Sequence, residues 1–100
     1  MPEVTVTLTE ADLADGRPRH PRDCPLGLAC ERELGGRFLG VRGNGEVVVR
    51  PSRVRTPADR LGVTAGMSDA DRARARRIVE AVDRGLEPLA PQTLTMLVPD

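Results

Sequence analysis

The sequence has no Lys, no Trp and no Tyr, and Phe38 is its only member of the Phe, Trp and Tyr class. Aromatic side chains supply much of the buried area in small domains, so the core has to be thin and aliphatic, built from Val, Leu and Ala. Such a core predicts stability near the low end of the usual range of about 5–15 kcal/mol, which a homodimer interface would supplement. Long apolar runs are also missing. No segment approaches the roughly 20 residues required to cross a bilayer, and the opening residues lack the basic, apolar and small-residue regions of a signal peptide. The expected setting is a cytoplasm, with no membrane partner. Cys24 and Cys30 are too few for a disulfide framework, and a reducing compartment would hold them as thiols.

Net charge is absent as well. Fifteen basic residues, all Arg, balance fifteen acidic ones, so no long-range field favours nucleic acid or an anionic surface. Arg in place of Lys, beside abundant Ala, Gly, Pro, Val and Asp, is what high-GC coding produces. One hundred residues suit one domain over 1–100 with a single core, since a chain of this size buries roughly two-thirds of the surface its unfolded form exposes.

What is present is a regular succession of element signals. Val4-Thr5-Val6-Thr7-Leu8 alternates strictly, predicting a half-buried strand. Thr9 and Asp12 then have capping-box spacing, Leu8 and Leu13 occupy staple positions, and Gly16 closes a short helix. The segment 17–22 carries two prolines among charged residues and is expected to be loop. Asp23 or Cys24 can cap a second helix with Pro25 in its first turn; Leu26, Ala29, Cys30 and Leu34 share its inner face, Arg32 and Glu33 point outward, and Gly35-Gly36 ends it.

Between Arg37 and Arg50 lies a hairpin turning at Gly43-Asn44-Gly45. A two-residue loop would mix apolar and polar residues on each face. A three-residue loop instead pairs Val41 with Val47 and Leu39 with Val49, sets Arg42 opposite Glu46 and gives Gly45 the positive φ. From Pro51 to Gly66 the expectation is loop, with a short edge strand in 52–56. Ser68 and Asp71 form a second capping box for the main helix, whose inward stripe is Ala75, Ile78 and Val82 with Ala81 alongside. Glu80 and Arg84 have i,i+4 spacing on that helix, Gly85 stops it, and 93–98 is the last strand.

In this order, the opening Val-Thr-Val-Thr-Leu-Thr, the helix start Asp23-Cys24-Pro25-Leu26-Gly27-Leu28-Ala29, the strand pair, and the exit Asp83-Arg84-Gly85-Leu86-Glu87-Pro88 into a final strand resemble a group of small phage and prophage proteins of high-GC bacteria. The resemblance covers most of the chain, and the Cys-Pro helix start is its most recognisable mark. It implies a phage setting, in the cytoplasm of the host cell, and this layout of elements. It carries no activity and no catalytic residue.

Three constellations bear on chemistry. His20, Cys24 and Cys30 have metal-ligand character, but they are three where a structural zinc site needs four, and the two cysteines are separated by five residues. Free cysteines that fill the core are the plainer account. A Cys–His nucleophile fails on the proline-flanked loop that carries His20 and on the lack of an orienting partner. Arg72, Arg74, Arg76 and Arg77 form the densest basic run, to which Arg53, Arg55 and Arg60 can be added. Such a patch can grip phosphates, although Asp69, Asp71 and Asp83 share the element and no aromatic is available for base stacking. Gly40, Gly43 and Gly45 belong to a hairpin and not to a phosphate loop.

The expected fold is therefore α+β: a small antiparallel or mixed sheet, made of neighbouring terminal strands plus the central hairpin, with helices packed on one face. Ile78 and Val82 should be buried against Val4, Val6, Leu39 or Val49. The expected function is that of a non-enzymatic accessory protein, phage or prophage encoded, that binds a host or phage protein and uses neither cofactor nor metal. The alternative is a nucleic-acid binder using the Arg-rich helix 68–84, with Arg72, Arg76, Arg77, Arg53 and Arg55 as the contacting residues.

Overall fold

The alternation that predicts the first strand is realised in β1 (Glu3–Leu8), where Val6 and Leu8 enter the core and Thr5 is exposed. The computed structural model describes residues 3–99. Thr9 caps α1 (Glu10–Asp15) through the full reciprocal capping box with Asp12, and Gly16 ends it. In α2 (Pro25–Leu34) the N-cap is Cys24, whose Sγ accepts the Gly27 N–H, and the expected face of Leu26, Ala29, Cys30 and Leu34 is buried. A 3-10 turn at Gly35–Arg37 leads into β2 (Phe38–Val41), followed by β3 (Val47–Val49).

Next come α3 (Pro57–Leu61), β4 (Val63–Thr64), β5 (Gly66–Met67), α4 (Asp69–Asp83) and β6 (Gln92–Leu97). The chain is an α+β fold, and its two terminal strands are neighbours, β1 pairing antiparallel with β6 from Glu3↔Leu97 to Leu8↔Gln92. The strands do not form one sheet. They divide into two three-stranded antiparallel sheets, ordered β1-β6-β5 and β2-β3-β4. One continuous segment, 63–67, joins them: β4 pairs with β3, β5 pairs with β6, and the buried Ala65 between them donates its N–H to Val47 O at 2.8 Å. Against these sheets lie α2, on β1 and β2, and α4, on β5, β6 and α2. The shared core contains Phe38, Leu26, Ile78, Leu94, Met96 and the valines 6, 47, 49 and 98.

Four local expectations are corrected. The three-residue loop and the Val41↔Val47 pair are present, but a bulge between Phe38 and Gly40 places Phe38, not Leu39, opposite Val49. The one aromatic thereby takes the core position, and Leu39 turns to the other face. On α4 the buried stripe is Ala75, Ile78 and Val79, while Val82 is only half-buried: the inward face follows i, i+3 and i+4 from Ala75 and not i+7. The Ser68 hydroxyl does accept the Asp71 N–H, but the Asp71 carboxylate does not return the bond. It accepts from Arg74 and from the Thr95 N–H instead, tying α4 to β6. Finally, no strand forms at 52–56; the regular structure of this stretch is α3, with its own capping box between Thr56 and Asp59 and Pro57 in the first turn, and then β4 and β5.

The turn residue Gly45 fixes the hairpin against α4. Its φ is +88°, and a Cβ at this position would lie 2.5 Å from the Arg76 nitrogen and 2.7 Å from the Ala75 carbonyl carbon. Glycine is required there both by the left-handed conformation and by backbone-to-backbone contact.

Candidate functional site

The bulge that buries Phe38 turns Leu39 outward to line an open cleft. Leu39 and Val48, both half-buried, face outward side by side, and Val79 of α4 and Leu61 of α3 complete an apolar wall. Gly62 seats the end of α3 on this pair, since a Cβ there would come within 2.6 Å of Val48 Cγ1 and 2.7 Å of Leu39 Cδ1. The resulting open cleft has a volume of about 660 Å³. Leu61, 83% exposed, stands at its edge.

The opposite side of the cleft is the loop 17–23, which backbone N–H donors tie to carbonyl oxygens and to one carboxylate. Arg17 N–H donates to Asp23 O at 2.7 Å, Val41 N–H to Pro21 O at 2.7 Å and Arg19 N–H to Asp83 Oδ1 at 3.0 Å. Arg19 adopts φ +61°, a left-handed conformation that costs a non-glycine residue roughly 1–2 kcal/mol. Asp83 sits in the last turn of α4, where the helix dipole disfavours a carboxylate. Each oddity is explained by the other: the carboxylate is where the strained Arg19 amide needs an acceptor. The mouth of the cleft carries Arg42, exposed and without an ion pair among the described residues, together with Arg19 and His20.

The two thiols beside this cleft are buried. Burial pushes the Cys24 thiol above its ordinary value despite the backbone N–H groups of Gly27 and Leu26, and burial drives Cys30 up to about 12. Both are free and buried, as expected of core-filling cysteines. His20 is exposed, and its Nδ1 accepts the Asp23 N–H at 3.1 Å. No three His, Cys, Asp or Glu side chains converge as a metal set among the described residues.

The arginines singled out in the sequence are distributed over two places. Arg72, Arg76 and Arg77 are exposed on α4, as their phase requires, and line a second groove between that helix and Glu46 and Gly66. Arg53 and Arg55 do not join them; both lie on the exposed 52–56 segment, where Arg55 borders a shallow depression with Val54 and Arg60. Within the groove the charge is largely matched locally. Arg76 bonds Glu80 at 2.9 Å, Arg72 approaches Asp69 at 3.7 Å and donates to Met67 O at 3.3 Å, and the adjacent Arg74 holds Asp71 at 2.8 Å. Arg77 has no ion pair among the described residues.

Sequence reasoning missed Leu39, Leu61 and Arg42. One signal was available for Leu39: Gly40 inside a strand marks a bulge, and a bulge shifts every side chain before it by one face. Comparison of the chain with protein-family models, curated proteins and solved structures finds no match in any of the three. Among the described residues no helix is long and apolar enough to cross a membrane.

Proposed function

We propose that the protein is a non-enzymatic accessory protein, of phage or prophage origin, that holds an apolar segment of a host or phage protein in the cleft between α3, α4 and the β2–β3 hairpin. The observation that carries this reading is Leu61, 83% exposed beside the apolar pair Leu39 and Val48, with Arg42, which has no ion pair among the described residues, at the mouth. Interface centres are apolar and enriched in Arg, and a free guanidinium at the edge adds selectivity for a carboxylate. The matching ligand is therefore an aliphatic side chain flanked by Asp or Glu. The nucleic-acid reading has weaker support, because three of the four α4 arginines are engaged by neighbouring carboxylates and the groove lined by Arg72, Arg76 and Arg77 includes Glu46 and Glu80.

A displayed library of random peptides tests the proposal. Selected peptides should combine an aliphatic residue with an acidic one, and their binding should be lost on Leu61→Asp. Selection of no peptide class, or retention unaffected by Leu61→Asp, refutes the binding of such a partner segment. Recovery of nucleic acid that depends on Arg72 and Arg77 and falls steeply with salt would move the function to α4.

A further inference from the structure

The chain itself displays a segment with the chemistry that the cleft selects. Helix α4 ends in a Schellman arrangement: Gly85, at φ +76°, donates to Val82 O at 3.0 Å, and Leu86 N–H donates to Ala81 O at 2.8 Å. The chain that leaves this cap is Leu86-Glu87-Pro88-Leu89, held further along by Gln92 Nε2 donating to Leu89 O at 2.6 Å. Leu86 is 61% exposed and Leu89 83% exposed, and the acidic Glu87 between them is exposed and free of ion pairs among the described residues. An aliphatic pair bracketing a carboxylate is thus presented on a short segment tethered by a hydrogen bond at each end, which lowers the entropic cost of docking it.

We propose that the cleft of one copy receives the 86–89 segment of a second copy, forming a reciprocal homodimer. This rests on the reading of the cleft as a site for an apolar, acidic segment, and it names the chain's own segment as the occupant. Charge complementarity sets the register: Glu87 lies between its leucines, and Arg42 lies at the mouth of the apolar wall. Location permits reciprocity. Asp83 lines the cleft and Leu86 follows it by three residues, so the donor segment and the acceptor cleft flank the same end of α4. A two-fold axis near that end would let each copy donate and receive, which closes the assembly at two. The requirement is modest: a standard interface covers about 800 Å² per partner, roughly a seventh of the 5964 Å² surface of one copy.

The decisive experiment is light scattering coupled to size exclusion on the pure full chain, over a range of concentrations, for the wild type, Glu87→Arg, Arg42→Glu and an equimolar mixture of the two variants. Both substitutions fall on exposed side chains, and circular dichroism melting confirms that each variant is folded. The wild type should show a concentration-dependent dimer, and each variant alone should be monomeric at the same concentrations. The mixture should recover dimer, because one contact then joins the two substituted positions with their charges exchanged and the reciprocal contact is the native Glu87–Arg42 pair. A wild type that remains monomeric at the highest soluble concentration overturns the proposal. So does a dimer that ignores both substitutions, or a mixture that fails to recover. A monomeric wild type that still selects aliphatic–acidic peptides removes this inference alone and leaves the cleft's function standing, whereas a dimer that selects none removes the partner-binding function alone.

Discussion

Replacing Arg32 by Ala isolates Asp12, the one buried charged side chain among the described residues at 3% exposure. In the native protein Arg32 grips it with both ends of its fork, Nη1 to Oδ1 at 2.9 Å and Nη2 to Oδ2 at 2.8 Å, and Nη2 also donates to Thr7 O at 2.9 Å. Thr9 N–H supplies the third bond to the carboxylate at 2.9 Å. The arrangement ties α1, α2 and β1 together. Removing one partner of a buried pair costs about 3–5 kcal/mol, because a charge is left without compensation. The Arg32 side chain is 45% exposed, so water can enter the space it vacates, and the expected loss falls to about 2–3 kcal/mol. For a chain of this length that lowers Tm by about 10–20 °C. The pH dependence has a definite sign. Burial acts to raise the Asp12 carboxyl, but the hydrogen bonds from Arg32 and Thr9 and the attraction of the guanidinium outweigh it, holding the group below its ordinary value of 3.8. A depressed carboxyl contributes stability that is present above the unfolded value and is lost as pH falls through the folded one. Urea unfolding should therefore show the full gap between wild type and Arg32→Ala at pH 7, closing as pH is lowered toward 3. Arg32→Lys, which keeps the charge without the fork, should fall between them. A loss below about 0.5 kcal/mol at pH 7, the level of an ordinary surface substitution, or a gap that does not change with pH, would refute the reasoning.

Gly45→Ala should destabilise by about 2–5 kcal/mol in the same assay, combining the left-handed penalty with forced separation of the turn from α4, whereas Gly43→Ala, with open space around it, should change stability by less than about 0.5 kcal/mol. Alkylation of Cys24 and Cys30 in the native protein should be at least about a hundredfold slower than in denaturant, since both thiols are buried and held protonated; rapid native labelling of either would contradict their placement. Simultaneous reversal of Arg72, Arg76 and Arg77 to Glu should move Tm by only a few degrees, with most of the effect from turning the Arg76–Glu80 attraction into repulsion worth a few tenths of a kcal/mol. Outright unfolding would mean that α4 buries the face assigned here to solvent.

Local signals were legible wherever one physical rule acted alone. Thr9 and Asp12 made their capping box because both partners lay within one turn and nothing else competed for them. Ser68 and Asp71 have the same spacing and made half of it, because Arg74 and the Thr95 amide were in reach of the carboxylate once β6 had packed alongside. The α3 cap was written just as plainly in Thr56-Pro57-Ala58-Asp59, with Pro at the favoured first position; the density of Pro and Gly around it concealed the helix, since those residues are also the ordinary marks of a loop. The division into two sheets had no local signal. It depends on Ala65, a small residue that can be buried where the chain crosses from one sheet to the other, and on pairings of two residues each, too short to leave an alternating pattern.

The cleft was harder to read because its residues face outward through a conflict between two rules. Alternation in β2 and β3 favours Leu39 inside with Val41, Val47 and Val49, and that pairing also satisfies the loop length. Burial of the single Phe overrides it: a fully buried aromatic contributes more apolar area than a leucine, so in a core this thin the chain accepts a bulge to place Phe38 there. Gly40 eases the bulge, and the displaced Leu39 becomes the floor of a surface site beside Val48. The apolar cleft is therefore a consequence of the shortage of aromatics. A Phe38→Leu substitution would remove the incentive for the bulge, and the Leu39↔Val49 register predicted from alternation would then compete with the native one. Backbone amide exchange at Leu39 and Gly40 is the readout, expected to accelerate relative to Val47 and Val49 as the two registers interconvert. If Phe38→Leu leaves exchange at these positions unchanged while lowering stability, the bulge is held by Gly40 and by the Pro21 contact with Val41, and the aromatic is only filling the space that the backbone provides.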